Sequence, residues 1–143
     1  MDEAFTLHER LAADSMEVGR WPLNLVLLMN DASYPWLILV PRRPGLRDLH
    51  ELAPQDQPVM MAEMVSAAGL VQSVFKAEKM NVAALGNQVP QLHVHVVARF
   101  AADQAWPNPV WGVRPPRPYG DKAARGRLAL LRQALQVTPP EGT

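Results

Sequence analysis

Residues 91–100 read Gln91-Leu92-His93-Val94-His95-Val96-Val97-Ala98-Arg99-Phe100. In an extended chain successive side chains point to opposite faces, so Gln91, His93, His95, Val97 and Arg99 share one face. Leu92, Val94, Val96, Ala98 and Phe100 share the other, which is wholly apolar and is expected to meet a core. Two imidazoles about 6 to 7 Å apart along the strand, followed by a guanidinium, suit a phosphate. A neutral imidazole can attack phosphorus, a protonated one can donate, and arginine can neutralise charge. The segment just before, Leu85-Gly86-Asn87-Gln88-Val89-Pro90, adds a glycine where backbone can approach a ligand and two side-chain amides that can donate to phosphate oxygens.

The same residues admit other readings. A strand histidine can be a satisfied polar residue, and Arg99 can pair with an acid. His-x-His is also a metal pair, but zinc needs at least a third ligand. Without cysteine, that ligand would have to be His8, His50 or a carboxylate.

Working outward, Leu23 to Met29 and Trp36 to Val40 are apolar runs separated by the turn formers Asn30-Asp31-Ala32-Ser33-Tyr34-Pro35, which predicts a buried antiparallel pair. Met16 to Arg20 reads as the opening of a hairpin, and residues 2 to 14 as a short helix or an extended arm. From about Gln55 to Ala77 the period becomes helical, with Met60, Met64, Ala67, Val71 and Val74 on one stripe. Either Pro54 lies in its first turn or Asp56 is its N-cap. Met80 to Leu85 is a fourth strand and Gln91 to Phe100 a fifth. Strands, one long helix, then strands predict an α+β fold with an antiparallel sheet. From Asp103 to Gly120 the chain is irregular and rich in tryptophan and proline, and Asp121 is expected to cap a terminal helix running to about residue 136, with Ala124, Leu128, Leu131 and Leu135 on its apolar stripe.

At 143 residues the chain fits one domain, with a core spanning about residues 16–100. Fourteen basic and fourteen acidic residues give zero formal charge, which argues against nucleic-acid polymers and anionic membranes as partners. The first 72 residues nevertheless hold ten acids and five bases, and the rest four acids and nine bases, so an anionic ligand is expected toward the second half. No run approaches the ~18 apolar residues of a membrane span. The start MDEAFTLHER lacks the features of a signal peptide, and the absence of cysteine suits a reducing compartment. A cytoplasmic protein is expected. Arg42, Arg43 and Arg47, near Asp48 and Glu51, read as a solvated ion-pair cluster, and the Met60, Met61 and Met64 group as helix packing. Trp106 and Trp111 could stack on a base or lid a site, or pin an irregular tail to the core.

QLHVHVVAR resembles the signature strand of the histidine triad (HIT) superfamily of nucleotide hydrolases and transferases, His-φ-His-φ-His-φ-φ with φ apolar. The resemblance runs from about Leu23 to Arg99 and takes in the Asn-Asp turn between apolar strands, the ILVPRR strand end, the long helix and the histidine strand, in that order. AWPNPVWG resembles the tail of a bacterial branch of these proteins. The resemblance implies a HIT-like sheet of about five antiparallel strands with one long helix packed on it and a C-terminal helix, commonly as a homodimer. It implies a small-molecule nucleotide, a phosphoanhydride or phosphoramidate of a nucleoside monophosphate, as substrate and no cofactor or metal. On this pattern His93 is the nucleophile toward the α-phosphate, giving a covalent nucleotidyl-histidine, and His95 bonds the phosphate or leaving group. Asn30 corresponds to the residue that holds the ribose hydroxyls, and Gly86, Asn87 and Gln88 fall near the family's phosphate-binding loop, which is shortened here. Gln91 stands where the family has its first histidine. Its amide can orient a neighbour but cannot carry a proton at neutral pH, so reduced turnover, or nucleotide binding without turnover, is the alternative.

Overall fold

The computed structural model describes residues 4–142; residues 2 and 3 of the expected N-terminal arm lie outside the described residues. Five strands, β1 (Ser15–Arg20), β2 (Asn24–Met29), β3 (Trp36–Pro41), β4 (Lys79–Ala83) and β5 (Val94–Arg99), form one sheet in the order β1-β2-β3-β5-β4. Every neighbouring pair is antiparallel. The helices are α1 (Glu9–Asp14), α2 (Gln57–Phe75) and α3 (Asp121–Leu135). The expected α+β architecture with one long helix and a terminal helix is the one observed.

Nearly all of β2 and all of β3 are buried, because both faces of the sheet are covered. Each fully buried Leu, Ile or Val contributes roughly 1.5–3 kcal/mol, so these two runs hold the centre of the domain. On one face Val26, Leu28, Leu37, Leu39, Leu92, Val94, Val96 and Ala98 pack with Met60, Ala67 and Val71 of α2 and Leu131 and Leu135 of α3. On the other, Leu25, Leu27, Trp36, Ile38, Val40 and Val97 pack with Leu11, Val89, Ala105 and Val110. The alternation read along residues 91–100 therefore places its apolar set under the helices. Regular strand pairing starts only at Val94, so Gln91 and His93 lie just before β5 rather than within it.

Asp56 occupies the N-cap position of α2 and Pro58 its first turn, yet the Asp56 carboxylate makes no cap bond. It takes a two-pronged bond from Arg43 instead, at 2.8 and 3.1 Å. The Glu51 carboxylate accepts the backbone amides of Arg47 and Asp48, and the Arg42 side chain donates to the carbonyls of Trp21 and Pro22, so Arg42 and Arg43 serve local structure and, among the described residues, the expected ion pairs with Asp48 and Glu51 do not form. At α3 the N-cap is Gly120, and Asp121 lies in the first turn, where its charge suits the helix dipole without capping. After α3 the chain returns to bridge Thr138 to Arg20 on the edge of β1. A side chain on Gly19 would collide there, since its Cβ would stand 2.5 Å from both the Thr138 carbonyl and the Val137 side chain.

By length and hydropathy the 19-residue α2 could cross a bilayer, which the run-length reading did not anticipate. Here one of its faces packs on the sheet, burying Met60, Glu63, Ala67 and Val71, while Met61 and Val65 are exposed. That face also carries a charge that the apolar stripe did not reveal. Glu63 is buried, and its carboxylate accepts the backbone amides of Leu23 and Asn24 and the Asn24 side-chain amide, all at 3.0 to 3.1 Å. It thereby satisfies the backbone amides at the start of β2. Replacing Glu63 by Ala leaves those donors buried and unpaired and should lower the unfolding free energy by about 3 kcal/mol, read from urea denaturation. A loss under about 0.5 kcal/mol would show that these bonds carry no weight.

Candidate active site

The sheet face opposite the long helix is covered by irregular segments, and they leave a cavity of about 850 Å³ above β2, β3 and β5. Its walls include Asn30 at the end of β2, Trp36 at the start of β3, Asn87 and Gln88 of the loop before β5, and His93 and His95. Arg10 of α1 and Trp111 and Arg114 of the Trp/Pro segment complete it.

The two imidazoles are buried edge to face, their centroids 4.9 Å apart. Nδ1 of His93 lies 2.6 Å from the Gln91 carbonyl. A carbonyl can only accept, so in the neutral ring Nδ1 carries the proton and Nε2 keeps its lone pair. Nδ1 of His95 is met at 3.0 Å by the indole Nε1 of Trp36. An indole nitrogen can only donate, so here Nδ1 holds the lone pair and Nε2 the proton. The neighbours thus hold opposite tautomers, one with a free nucleophilic nitrogen and the other with a free N–H donor. Burial, with the adjacent His93 contributing, pushes the His95 pKa down to about 4, so it is neutral at pH 7.

Trp36 reaches His95 because the β3–β5 register pairs Trp36 with Val97 and Ile38 with His95, placing the indole diagonally across from the imidazole. Trp111 packs against both rings, 5.3 Å from His95 and 6.2 Å from Trp36. It is at once wall and support. Trp106 lies outside the cavity lining and stands over the Arg99 guanidinium at 5.6 Å, pinning the tail.

Two expected site residues do other work. Arg99, expected to neutralise a phosphate, is only 2% exposed and lies outside the cavity lining. Its guanidinium bonds both oxygens of buried Asp103, at 2.9 and 3.2 Å, and also Asn81 Oδ1 and the Asn108 carbonyl. Burial tends to raise the Asp103 pKa, but bonds from Arg99 and the Phe100 and Trp106 amides outweigh it and hold it below the ordinary value. Gln91, expected beside the phosphate, accepts the His8 amide on Oε1 and donates through Nε2 to the Thr6 carbonyl. Its side chain holds the N-terminal arm; only its backbone carbonyl serves His93.

Asn30, Asn87, Gln88, His93 and His95 do come together around the cavity. Asn30 Oδ1 accepts the Tyr119 amide, while its side-chain nitrogen has no partner among the described residues. Asp31 is a turn residue, accepting the Ser33 amide, and it also takes the Arg117 amide of the tail. Among the described residues no three His, Asp or Glu side chains are placed to hold a metal ion, and both Nδ1 atoms of the pair are engaged within the protein. Trp36, Arg10 and Arg114 were not singled out from sequence. Trp36 reads as the first residue of an apolar strand until the register is known, and the arginines sit in segments without periodicity.

His95 links the site to stability. An imidazole near 6.5 when unfolded and about 4 when folded binds its proton in the unfolded chain first. Its contribution is therefore fully present above pH 6.5 and is lost as the pH falls toward 4, by about 3 kcal/mol in total. Urea denaturation across that range should show a steeper loss in the wild type than in His95→Asn, and parallel curves would contradict the assignment.

The family model of the HIT domain matches residues 10–102. Three solved structures are similar over nearly the whole chain. A histidine triad protein from Marinobacter aquaeolei VT8 is 46% identical with a TM-score of 0.92, covering 94% of this chain and 98% of its own. One from Bradyrhizobium japonicum is 42% identical with a TM-score of 0.90, covering 93% and 99%. A HIT protein from Sinorhizobium meliloti 1021 is also 42% identical with a TM-score of 0.88, covering 91% and 96%. A search of curated proteins gives no match. With the domain matched across the sheet, the long helix and the histidine strand, the chain belongs to the HIT domain family.

Proposed function

We propose that this protein is a nucleotide hydrolase or nucleotidyl transferase that works through a covalent adduct on His93. The observation that carries this reading is the opposed pair of tautomers: an imidazole with Nε2 unprotonated beside one with Nε2 protonated, both in a cavity of nucleotide size. Nε2 of His93 attacks the α-phosphorus, and the leaving group departs with the electron pair of its bond. The Gln91 carbonyl stabilises the positive charge that the ring acquires. Water then attacks phosphorus, the P–N bond breaks and its pair returns to Nε2, and a nucleoside monophosphate is released with one proton of the water passing to solvent.

The non-bridging oxygens would meet the N–H of His95 and the amides of Asn87 and Gln88, where one well-placed donor contributes about 3 kcal/mol to the transition state. Asn30, which lines the cavity, would hold the ribose hydroxyls through its side-chain nitrogen. Arg10 and Arg114 supply positive charge at the cavity wall. The protein is proposed to act in the cytosol as a homodimer. The apolar Val82 of the edge strand β4 and Leu85 just beyond it are exposed and support that reading.

A catalytically weak nucleotide-binding protein on the same scaffold is the competing reading, because no proton-carrying side chain occupies position 91. A rapid-quench experiment with a nucleotide ester separates the two. The enzyme reading predicts a burst near one nucleoside monophosphate per site, a matching mass increase on His93, and loss of both in His93→Ala with the fold retained. Binding without a burst, or unchanged turnover in His93→Ala, would overturn it.

A further inference from the structure

The side chains around His93 hold hydrogen-bond donors but offer the leaving group no acid. The neutral N–H of His95 can donate a hydrogen bond without giving up its proton. For His95 to become an acid its Nδ1 would have to gain a proton, but that nitrogen is taken by the indole of Trp36 at 3.0 Å, and the two N–H groups would then point at each other. The Nδ1 proton of His93 is turned to the Gln91 carbonyl, away from its own Nε2. Gln91 is spent on the arm. The remaining charged groups at the cavity are Arg10, Asp14, Asp31 and Arg114. Asp14 pairs with Arg10 at 3.7 Å, and Asp31 accepts two backbone amides.

We propose that Trp36 selects the leaving group: by keeping His95 a pure hydrogen-bond donor, it restricts the site to nucleotides whose leaving group departs as an anion, and against phosphoramidates. This rests on the covalent His93 reading and narrows its substrate class. In a phosphoanhydride the bridging P–O bond breaks, the electron pair stays on the departing phosphate, and no proton is required, because that anion is stable at neutral pH. In an alkyl phosphoramidate the pair stays on nitrogen, and an amine whose conjugate acid titrates near lysine's, at about 10, leaves only if it collects a proton in the same step. The arginines at the wall suit an anionic leaving group as well. Trp36 lines the cavity beside His95 but supplies none of the reacting atoms; its effect on the leaving group is that of a positioning residue acting through His95.

The test compares diadenosine tetraphosphate with an alkylamine phosphoramidate of adenosine monophosphate, following monophosphate release and the His93 adduct by mass. The wild type should favour the anhydride in kcat/KM by at least about 100-fold, the scale of a missing general acid. A series of aryl esters of adenosine monophosphate should show rates falling steeply as the leaving phenol becomes more basic. In Trp36→Phe the Nδ1 of His95 is released, so the ester series should flatten and the anhydride preference should narrow by about 10-fold or more. A merely structural role would lower all rates by one factor and leave the slope unchanged, which would overturn the proposal. Phosphoramidate cleavage by the wild type at a comparable rate, with the His93 adduct present, would overturn it while leaving the covalent mechanism standing. Release from neither substrate and no adduct would remove the covalent mechanism and this inference together. Should Trp36→Phe fail to fold, the wild-type comparison and ester series decide alone.

Discussion

Two imidazoles buried side by side cannot both be charged, and neither can leave its inner nitrogen unpaired without a cost of about 1–3 kcal/mol. The protein meets that constraint with two partners of opposite kind, a backbone carbonyl for His93 and an indole for His95. Because one can only accept and the other can only donate, the chemistry of the pair is set before any ligand arrives. The sheet is what makes this possible. The β3–β5 register brings Trp36 beside His95, and the turn of chain before β5 folds the Gln91 carbonyl back onto His93.

Building the site on a sheet face leaves the problem of covering it. The helices α2 and α3 are committed to the opposite face, so the cover comes from the short α1 and from segments with little regular structure. These are held by buried polar contacts rather than by periodic packing. The Arg99–Asp103 pair fixes the start of the Trp/Pro segment, and Asp103 alone accepts the amides of Phe100, Ala105 and Trp106. The Asn30-Asp31 turn fixes its far end through the Arg117 and Tyr119 amides. Between these anchors the chain carries Trp111 onto His95. Gln91 does the same for the N-terminal arm and so brings α1 and Arg10 to the cavity wall. The Gln91 amide, which carries no proton at neutral pH, thus serves as a structural clasp.

Much of this was legible in the sequence where side-chain alternation or a helical stripe carries the information. The long helix and the opposed faces of residues 91–100 follow from period, the central strands from apolar runs bounded by turn formers, and the resemblance supplied the roles proposed for His93, His95 and Asn30. What was not legible depends on contacts between residues far apart in the chain. Arg99 shares a face with the histidines, yet Asp103 draws its guanidinium away. Glu63 lies within an apolar stripe because the start of β2, some forty residues earlier, needs an acceptor. Trp36 and His95 are fifty-nine residues apart, and only the strand register joins them.

The central claim is that the two histidines are held in opposite tautomers, and nitrogen-15 NMR of the imidazole rings at pH 7 reads this directly. The expected spectrum has a protonated Nδ1 and bare Nε2 for His93, and a bare Nδ1 and protonated Nε2 for His95, with the His95 pattern reverting to a tautomer mixture in Trp36→Phe. The same tautomer on both rings, or a doubly protonated His95 at pH 7, would contradict the account.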